Sequence, residues 1–161
     1  MAKHFHLDDG WDIVHEAFKR VDDYLLLEVP EKPYLHECLE ILSEAGFVMA
    51  IASSSYLSTI ERNLRESDTA DYFSAIVSGD QITNGKPAPD IFLRTAERIG
   101  LNPEDCYIIE DSLNGIRAAH AAGGKPIMVI DLIQPTEEIR GLCLAVTDNL
   151  LEAAEVIMND L

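Results

Sequence analysis

The sequence is poor in basic residues. Its 161 positions hold 12 lysines and arginines against 29 aspartates and glutamates, which gives a formal net charge of −17 at pH 7. A field of that sign repels nucleic-acid phosphates and anionic lipid headgroups. The composition therefore argues against a protein that binds nucleic acid or anionic membranes.

Cysteines and long apolar runs are also scarce. The three cysteines, Cys38, Cys106 and Cys143, are far apart, and neither a CxxC pair nor a Cys/His spacing suited to zinc occurs. They indicate buried thiols in a reducing compartment. The N-terminus lacks the apolar core of a signal peptide, and no apolar run is long enough to cross a bilayer. We therefore expect a cytoplasmic protein with neither a nucleic-acid nor a membrane partner.

The pattern of apolar residues predicts an α/β fold. After about residue 30, helical patterns alternate with short apolar segments that predict strands, namely FVMAIAS, FSAIVSGD, CYIIED, PIMVI and LAVTD. Such alternation predicts right-handed βαβ crossovers and a doubly wound parallel sheet. Residues 11–28 carry apolar side chains at helical spacing and predict one or two amphipathic helices.

Polar residues directly follow the predicted strands. Because parallel strands end at a common edge of the sheet, where ligands bind, we expect these residues to lie close together. They are found at 53–55, 79–86 and 110–112 and at Asp131. Hydroxyls, one lysine and paired acids suit a phosphate group together with a divalent cation.

Each of these residues also has a purely structural explanation. Ser53 and Ser54 could cap the following helix instead of binding an anion at its N-terminus. Lys86 could be a solvated loop lysine. Glu110 and Asp111 are the strongest signal, because Mg²⁺ prefers oxygen ligands and usually takes one or two carboxylates. Alternatively, Asp111 or the next serine caps a helix while Glu110 is solvated.

The order of these residues resembles the haloacid dehalogenase-like (HAD) hydrolases, in particular the phosphatase and β-phosphoglucomutase-like branch with a helical cap. The segments AIASSS, GKPAPDIF and IIEDSLNGIRAAHAAG are similar to the family's second, third and fourth motifs, in that order. The resemblance runs from about Pro30 to the C-terminus and implies the family's Rossmann-like core.

The resemblance implies a role for each matching residue. Ser53 would bind the transferred phosphoryl group, and Lys86 would neutralise its charge and steady the nucleophile, so both would be catalytic. Glu110 and Asp111 would hold Mg²⁺, with Asp111 as the more direct ligand. Ser54 and Asn114 are further candidates for phosphate binding. The implied substrate is a small phosphorylated metabolite, processed through an aspartyl-phosphate by a phosphatase or a sugar-phosphate mutase.

The family's first motif is absent from the sequence. In the family an apolar strand ends in Asp-x-Asp-Gly, whose first aspartate is the nucleophile and whose second is the general acid/base. The nearest match, FHLDDGWD, places a histidine at the nucleophile's position if Asp8 is aligned with the second aspartate. Aligning Asp8 and Asp9 with the two aspartates instead loses the residue between them. We therefore expect a truncated chain that is inactive alone.

This interpretation divides the chain into residues 1–30, a remnant of the helical cap, and residues 31–161, a HAD-like core without its first strand. In the family that strand lies between those carrying Ser53 and Glu110, so its absence would expose two rows of backbone hydrogen-bonding groups. Another segment fills the gap, the sheet closes up, or the chain is a piece of a longer protein. An unfilled gap would favour self-association through strand exchange.

Two classes of function therefore stay open. The first is the Mg²⁺-dependent phosphoryl-transfer enzyme. The second is a non-catalytic module derived from the same fold, which binds phosphate, a metal or a partner. A response-regulator receiver is set aside, because its metal-binding acids come first in the chain and its lysine last. Here the acid pair follows both Ser53 and Lys86.

Overall fold

The computed structural model describes residues 30–161. The chain divides into two compact units, Met1–Glu31 and Lys32–Leu161, and all the elements named below belong to the second unit. The helices predicted over residues 11–28 lie outside the described residues. The cap remnant predicted for residues 1–30 therefore stays a prediction.

Helices and strands alternate along the second unit. The described residues contain five strands: β1 (Met49–Ser53), β2 (Phe73–Ser78), β3 (Tyr107–Glu110), β4 (Lys125–Val129) and β5 (Ala145–Thr147). They also contain six α-helices: α1 (Leu35–Glu44), α2 (Leu57–Glu66), α3 (Asp90–Ile99), α4 (Leu113–Ala121), α5 (Glu137–Leu142) and α6 (Leu150–Asn159). Every predicted strand is present, and the short helix α5 was not predicted.

The strands pair in parallel, which confirms the predicted α/β class. β1 pairs with β2, and β4 lies between β3 and β5. Within residues 30–161, β1 and β3 belong to different sheets, so no described strand joins the one that carries Ser53 to the one that carries Glu110.

Helices cover both faces of β4. Ile127 and Val129 pack in one cluster with residues of α1 and α6, whereas Met128 packs with Ile116 of α4 and Ile139 of α5. Because successive side chains of a strand point to opposite faces, these helix pairs lie on opposite sides of the strand. A third cluster joins β2, α3 and α4 through Val77, Ile91, Phe92, Ala118 and Ala119. This packing explains why β4 is a nearly continuous apolar run.

Helix α1 is followed by a glycine in a left-handed conformation. Gly46 follows α1 with φ +83°, a left-handed conformation that glycine adopts without steric cost. Its N–H donates a hydrogen bond to the carbonyl of Ser43 at 2.9 Å.

No helix among residues 30–161 is long and apolar enough to cross a bilayer.

Candidate active site

A cavity of about 460 Å³ opens at the C-terminal ends of β1, β3 and β4. It lies at the edge where the sequence predicts the functional residues. Five of the six predicted site residues line it, namely Ser53, Ser54, Lys86, Glu110 and Asp111. The fold therefore brings together residues from three separate segments of the chain.

Asn114 is the predicted site residue that does not line the cavity. It is exposed on α4, where its side-chain oxygen accepts a hydrogen bond from the Arg117 guanidinium at 3.3 Å. A role for Asn114 in phosphate binding stays a prediction.

Lys86 links the two separate sheets at the cavity. Its ammonium donates a hydrogen bond to the backbone carbonyl of Ala52 at 3.3 Å and forms an ion pair with Glu110. It also lies 4.8 Å from the centroid of the Phe92 ring, within cation–π range. The peptide bond between Lys86 and Pro87 is cis. The Lys86 side chain is only 11% exposed, so it is not the solvated loop lysine of the alternative explanation.

The Glu110 carboxylate is held on two sides. One oxygen contacts Lys86, and the other accepts hydrogen bonds from the hydroxyl of Ser112 at 3.0 Å and its backbone N–H at 3.4 Å. Gly115 leaves room for this carboxylate, because a Cβ at that position would collide with it. Glu110 is 10% exposed, so the alternative in which it is solvated is wrong. Its observed partner is the lysine, and its predicted role as a metal ligand stays a prediction.

Ser112 caps α4, as one alternative proposed. Its hydroxyl oxygen accepts a hydrogen bond from the backbone N–H of Gly115 at 2.9 Å while the same hydroxyl donates to Glu110. Because Ser112 caps α4, Asp111 does not cap it. The Asp111 carboxylate is also the more exposed of the adjacent acids, at 43% against 10% for Glu110. Asp111 is therefore the acid better placed to meet a ligand in the cavity.

Ser53 and Ser54 do not cap the helix that follows them. The residue at the N-cap of α2 is Tyr56, and no side chain there accepts a capping hydrogen bond. Instead, the Ser53 hydroxyl accepts a hydrogen bond from the Ser55 N–H at 3.2 Å, which tightens the loop beside the cavity. The structural explanation by helix capping is wrong for both residues.

The loop after β1 is pressed against the loop after β2. A Cβ on Gly79 would collide with the backbone of Ser54, and the Gly79 N–H donates to the Ser55 carbonyl at 3.0 Å. The absence of a side chain at position 79 therefore permits the approach that fixes the serine loop beside the cavity.

A second lysine at the cavity was not predicted. The Lys32 ammonium lies 2.9 Å from Asp111 Oδ2 and 2.7 Å from Asp131 Oδ2. Partial burial lowers the pKa of this ammonium, but hydrogen bonds to Asp131 and Asp111 raise it more, so the pKa lies above its usual 10.5. Lys32 therefore stays protonated and neutralises part of the charge of two carboxylates.

The sequence contains one signal that could have pointed to Lys32. It is a basic residue between Pro30 and Pro33, at the start of the α/β pattern, in a chain with few lysines. The sequence predicts that Asp131 lies at this edge, because it follows a predicted strand, but it indicates no role for that residue.

The two aspartates around Lys32 also have the chemistry of a magnesium site. An ammonium contacting both carboxylates shows that this point favours positive charge. Mg²⁺ binds through oxygen atoms and usually combines one or two carboxylates with water and substrate phosphate. Within the part of the chain that the structure describes, no group of three or more His, Cys, Asp or Glu side chains could hold a metal. The two carboxylates therefore fit Mg²⁺ only where water and phosphate oxygens supply its remaining ligands.

Comparison with known proteins identifies the family of this chain. The model of the haloacid dehalogenase-like hydrolases matches residues 3–123, which extends the resemblance well before Pro30. A phosphorylated carbohydrates phosphatase of Thermotoga maritima is 36% identical over 147 residues, which cover 90% of this chain and 61% of that protein. Hexitol phosphatase B of Escherichia coli K12 is 34% identical over 118 residues, which cover 73% of this chain and 53% of that enzyme.

A solved structure extends the comparison to the fold. A crystal structure from Thermotoga maritima, provisionally assigned as a β-phosphoglucomutase, superposes with a TM-score of 0.78 at 29% identity and covers 99% of this chain and 75% of that one. The chain spans 61% and 53% of the length of the two curated relatives above. The family match, the fold and the order of the cavity residues agree, and the chain belongs to the haloacid dehalogenase-like hydrolases.

Proposed function

We propose that this chain carries the phosphate- and Mg²⁺-binding part of a phosphoryl-transfer enzyme that acts on a small phosphorylated metabolite through an aspartyl-phosphate. The observation that carries the proposal is the shared cavity of Ser53, Lys86 and Asp111 at the C-terminal edge of the strands. Relatives named for phosphorylated carbohydrates and hexitols favour a phosphorylated sugar or sugar alcohol as the substrate class. The reaction is that of a phosphatase or a sugar-phosphate mutase.

We assign different contacts with the phosphoryl group to different cavity residues. The Ser53 hydroxyl and the N–H groups of the serine loop would donate hydrogen bonds to its oxygens, and Ser54 would add a second hydroxyl. The Lys86 ammonium would neutralise its charge, since it is nearly buried and its electrostatic interactions are therefore less screened by water. Glu110 holds Lys86 in position through the ion pair.

Asp111 would hold Mg²⁺, which supplies charge neutralisation at the phosphoryl oxygens when it is bound. The nucleophilic aspartate does not match any segment of this sequence, because no Asp-x-Asp occurs in it. We therefore expect the chain as given to bind Mg²⁺ and phosphate without turning over a phosphate ester.

The proposal is tested by calorimetry together with an activity assay. Mg²⁺ and inorganic phosphate should each give a binding isotherm, with Mg²⁺ binding lost in Asp111→Asn and phosphate binding weakened in Ser53→Ala. The same protein should show negligible hydrolysis of an aryl phosphate with Mg²⁺. Absence of any Asp111-dependent Mg²⁺ binding would overturn the proposed function, and turnover that Asp111→Asn abolishes would overturn the expected inactivity.

The missing Asp-x-Asp also favours a second candidate, a non-catalytic module that binds phosphate, a metal or a protein partner. Such a module would keep the Asp111-dependent binding but would gain no activity when an apolar strand ending in Asp-x-Asp-Gly is fused to its N-terminus. Gain of turnover in that fusion would favour the enzyme.

Self-association of the chain through the edges of β1 and β3 is a further prediction, which sedimentation of the purified chain tests. A cytoplasmic location stays a prediction.

A further inference from the structure

We propose that the Lys32 ammonium acts as an internal counter-cation that competes with Mg²⁺ for the Asp111 carboxylate. Asp131, which the ammonium already contacts, would hold it when it leaves Asp111. The inference rests on the proposed function, because that function assigns Asp111 to the metal.

The competition follows from the shared carboxylate. Lys32 Nζ lies 2.9 Å from Asp111 Oδ2, which is within direct hydrogen-bonding and ion-pair range. Mg²⁺ contacts its ligand oxygens at about 2.1 Å and carries two positive charges, so an ammonium so close to Asp111 would be repelled by the ion. Electrostatic repulsion therefore opposes metal binding at Asp111 for as long as Lys32 stays in contact with that carboxylate.

The side chain of Lys32 has room to make this move. It is 37% exposed, and Asp111 and Asp131 are 43% and 49% exposed. The backbone of Lys32 is held nearby by its carbonyl, which accepts a hydrogen bond from the Leu35 N–H at 3.2 Å before α1 begins. The ammonium already lies 2.7 Å from Asp131, so it can keep that ion pair while it leaves Asp111.

The other cavity lysine has a different partner. Lys86 is paired with Glu110 and is only 11% exposed, so its ammonium is neither mobile to the same degree nor bound to Asp111. Lys32 is thus the lysine whose removal changes the charge at Asp111 directly. Without metal it neutralises the two aspartates that would otherwise repel each other.

The test is calorimetric titration of the full chain with Mg²⁺ alone. Lys32→Gln should lower the dissociation constant about fivefold, which is the upper end for loss of one exposed ion pair. Lys32→Arg keeps the charge and should leave the constant close to that of the unchanged protein. Lys125→Gln is the matched control, because Lys125 pairs with Asp160 at the other end of β4 and should change nothing.

A variant of Asp131 distinguishes a resting place for Lys32 from a metal ligand. Asp131→Asn should weaken Mg²⁺ binding more in the unchanged protein, where Lys32 is then left with Asp111 alone, than in the Lys32→Gln background, where only the lost negative charge acts. Equal weakening in both backgrounds would show that Asp131 acts on the metal without Lys32, and this part of the inference would be wrong.

A second measurement needs no substitution that could disturb folding. The side-chain nitrogen resonance of Lys32, observed by NMR, should shift when Mg²⁺ saturates the protein. An unchanged resonance, or an unchanged dissociation constant in Lys32→Gln with binding still lost in Asp111→Asn, would overturn the competition and leave the proposed function standing. If neither the unchanged protein nor Lys32→Gln shows Asp111-dependent binding, both proposals fail.

Discussion

Replacing Gly115 by alanine tests how firmly the Glu110 carboxylate is held. The new Cβ would collide with that carboxylate, which is pinned between Lys86 and Ser112. Either Glu110 leaves the nearly buried ion pair or α4 shifts away from β3. Overpacking of this kind typically costs about 1–3 kcal/mol. It opposes the gain of up to about 1 kcal/mol that alanine brings over glycine inside a helix.

Gly141→Ala is the matched control. Gly141 lies in α5, and a Cβ there would meet no atom within 4 Å. Because both substitutions gain helix propensity, the difference between their free energies of unfolding isolates the collision with Glu110. We expect Gly115→Ala to be less stable than Gly141→Ala by roughly 2 kcal/mol, measured by urea unfolding of both proteins.

The Glu110→Ala background completes the test. Glu110→Ala removes the three atoms nearest to the new Cβ, so in that background Gly115→Ala should cost much less stability than in the unchanged protein. If Gly115→Ala is as stable as Gly141→Ala in the unchanged protein, the Glu110 side chain moves aside freely, and the inference that it holds Lys86 in place is refuted.

Lys86→Met should destabilise the protein by about 3–5 kcal/mol, since it leaves a nearly buried carboxylate without its partner. Adding Glu110→Gln should recover most of that loss in urea unfolding, and simple additivity of the two losses would show that the ion pair is not the cause. Burial raises the pKa of the Cys38 thiol to about 11, so at pH 8 it stays protonated. Mass spectrometry after iodoacetamide treatment should find Cys38 unmodified in the native protein and modified in urea, and rapid native modification would contradict its burial.

Elements with a clear local pattern were predicted from the sequence. The five apolar segments became the five described strands. The helix α5 was missed because it has only six residues and depends on contacts from elsewhere. Its buried Ile139 packs against Ile116 and Met128, and a hydroxyl at Thr136 caps its first turn.

The sequence predicted where the site residues lie but not the contacts between them. The rule that parallel strands end at one edge brings Ser53, Lys86 and Asp111 to one cavity, as expected. The sequence also left helix capping open for the two serines, and the structure shows that Tyr56 occupies that position instead.

By itself the sequence determined the strand and helix pattern, the edge at which the polar residues collect and the family to which they belong. These follow from periodicity, glycine and proline positions and short motifs, all of which act within a few residues. The tertiary structure alone decided that Glu110 pairs with Lys86 and that Lys32 joins Asp111 to Asp131. Ion pairs between distant segments depend on which side chains the packed helices and strands bring within about 4 Å, and no local pattern encodes that distance.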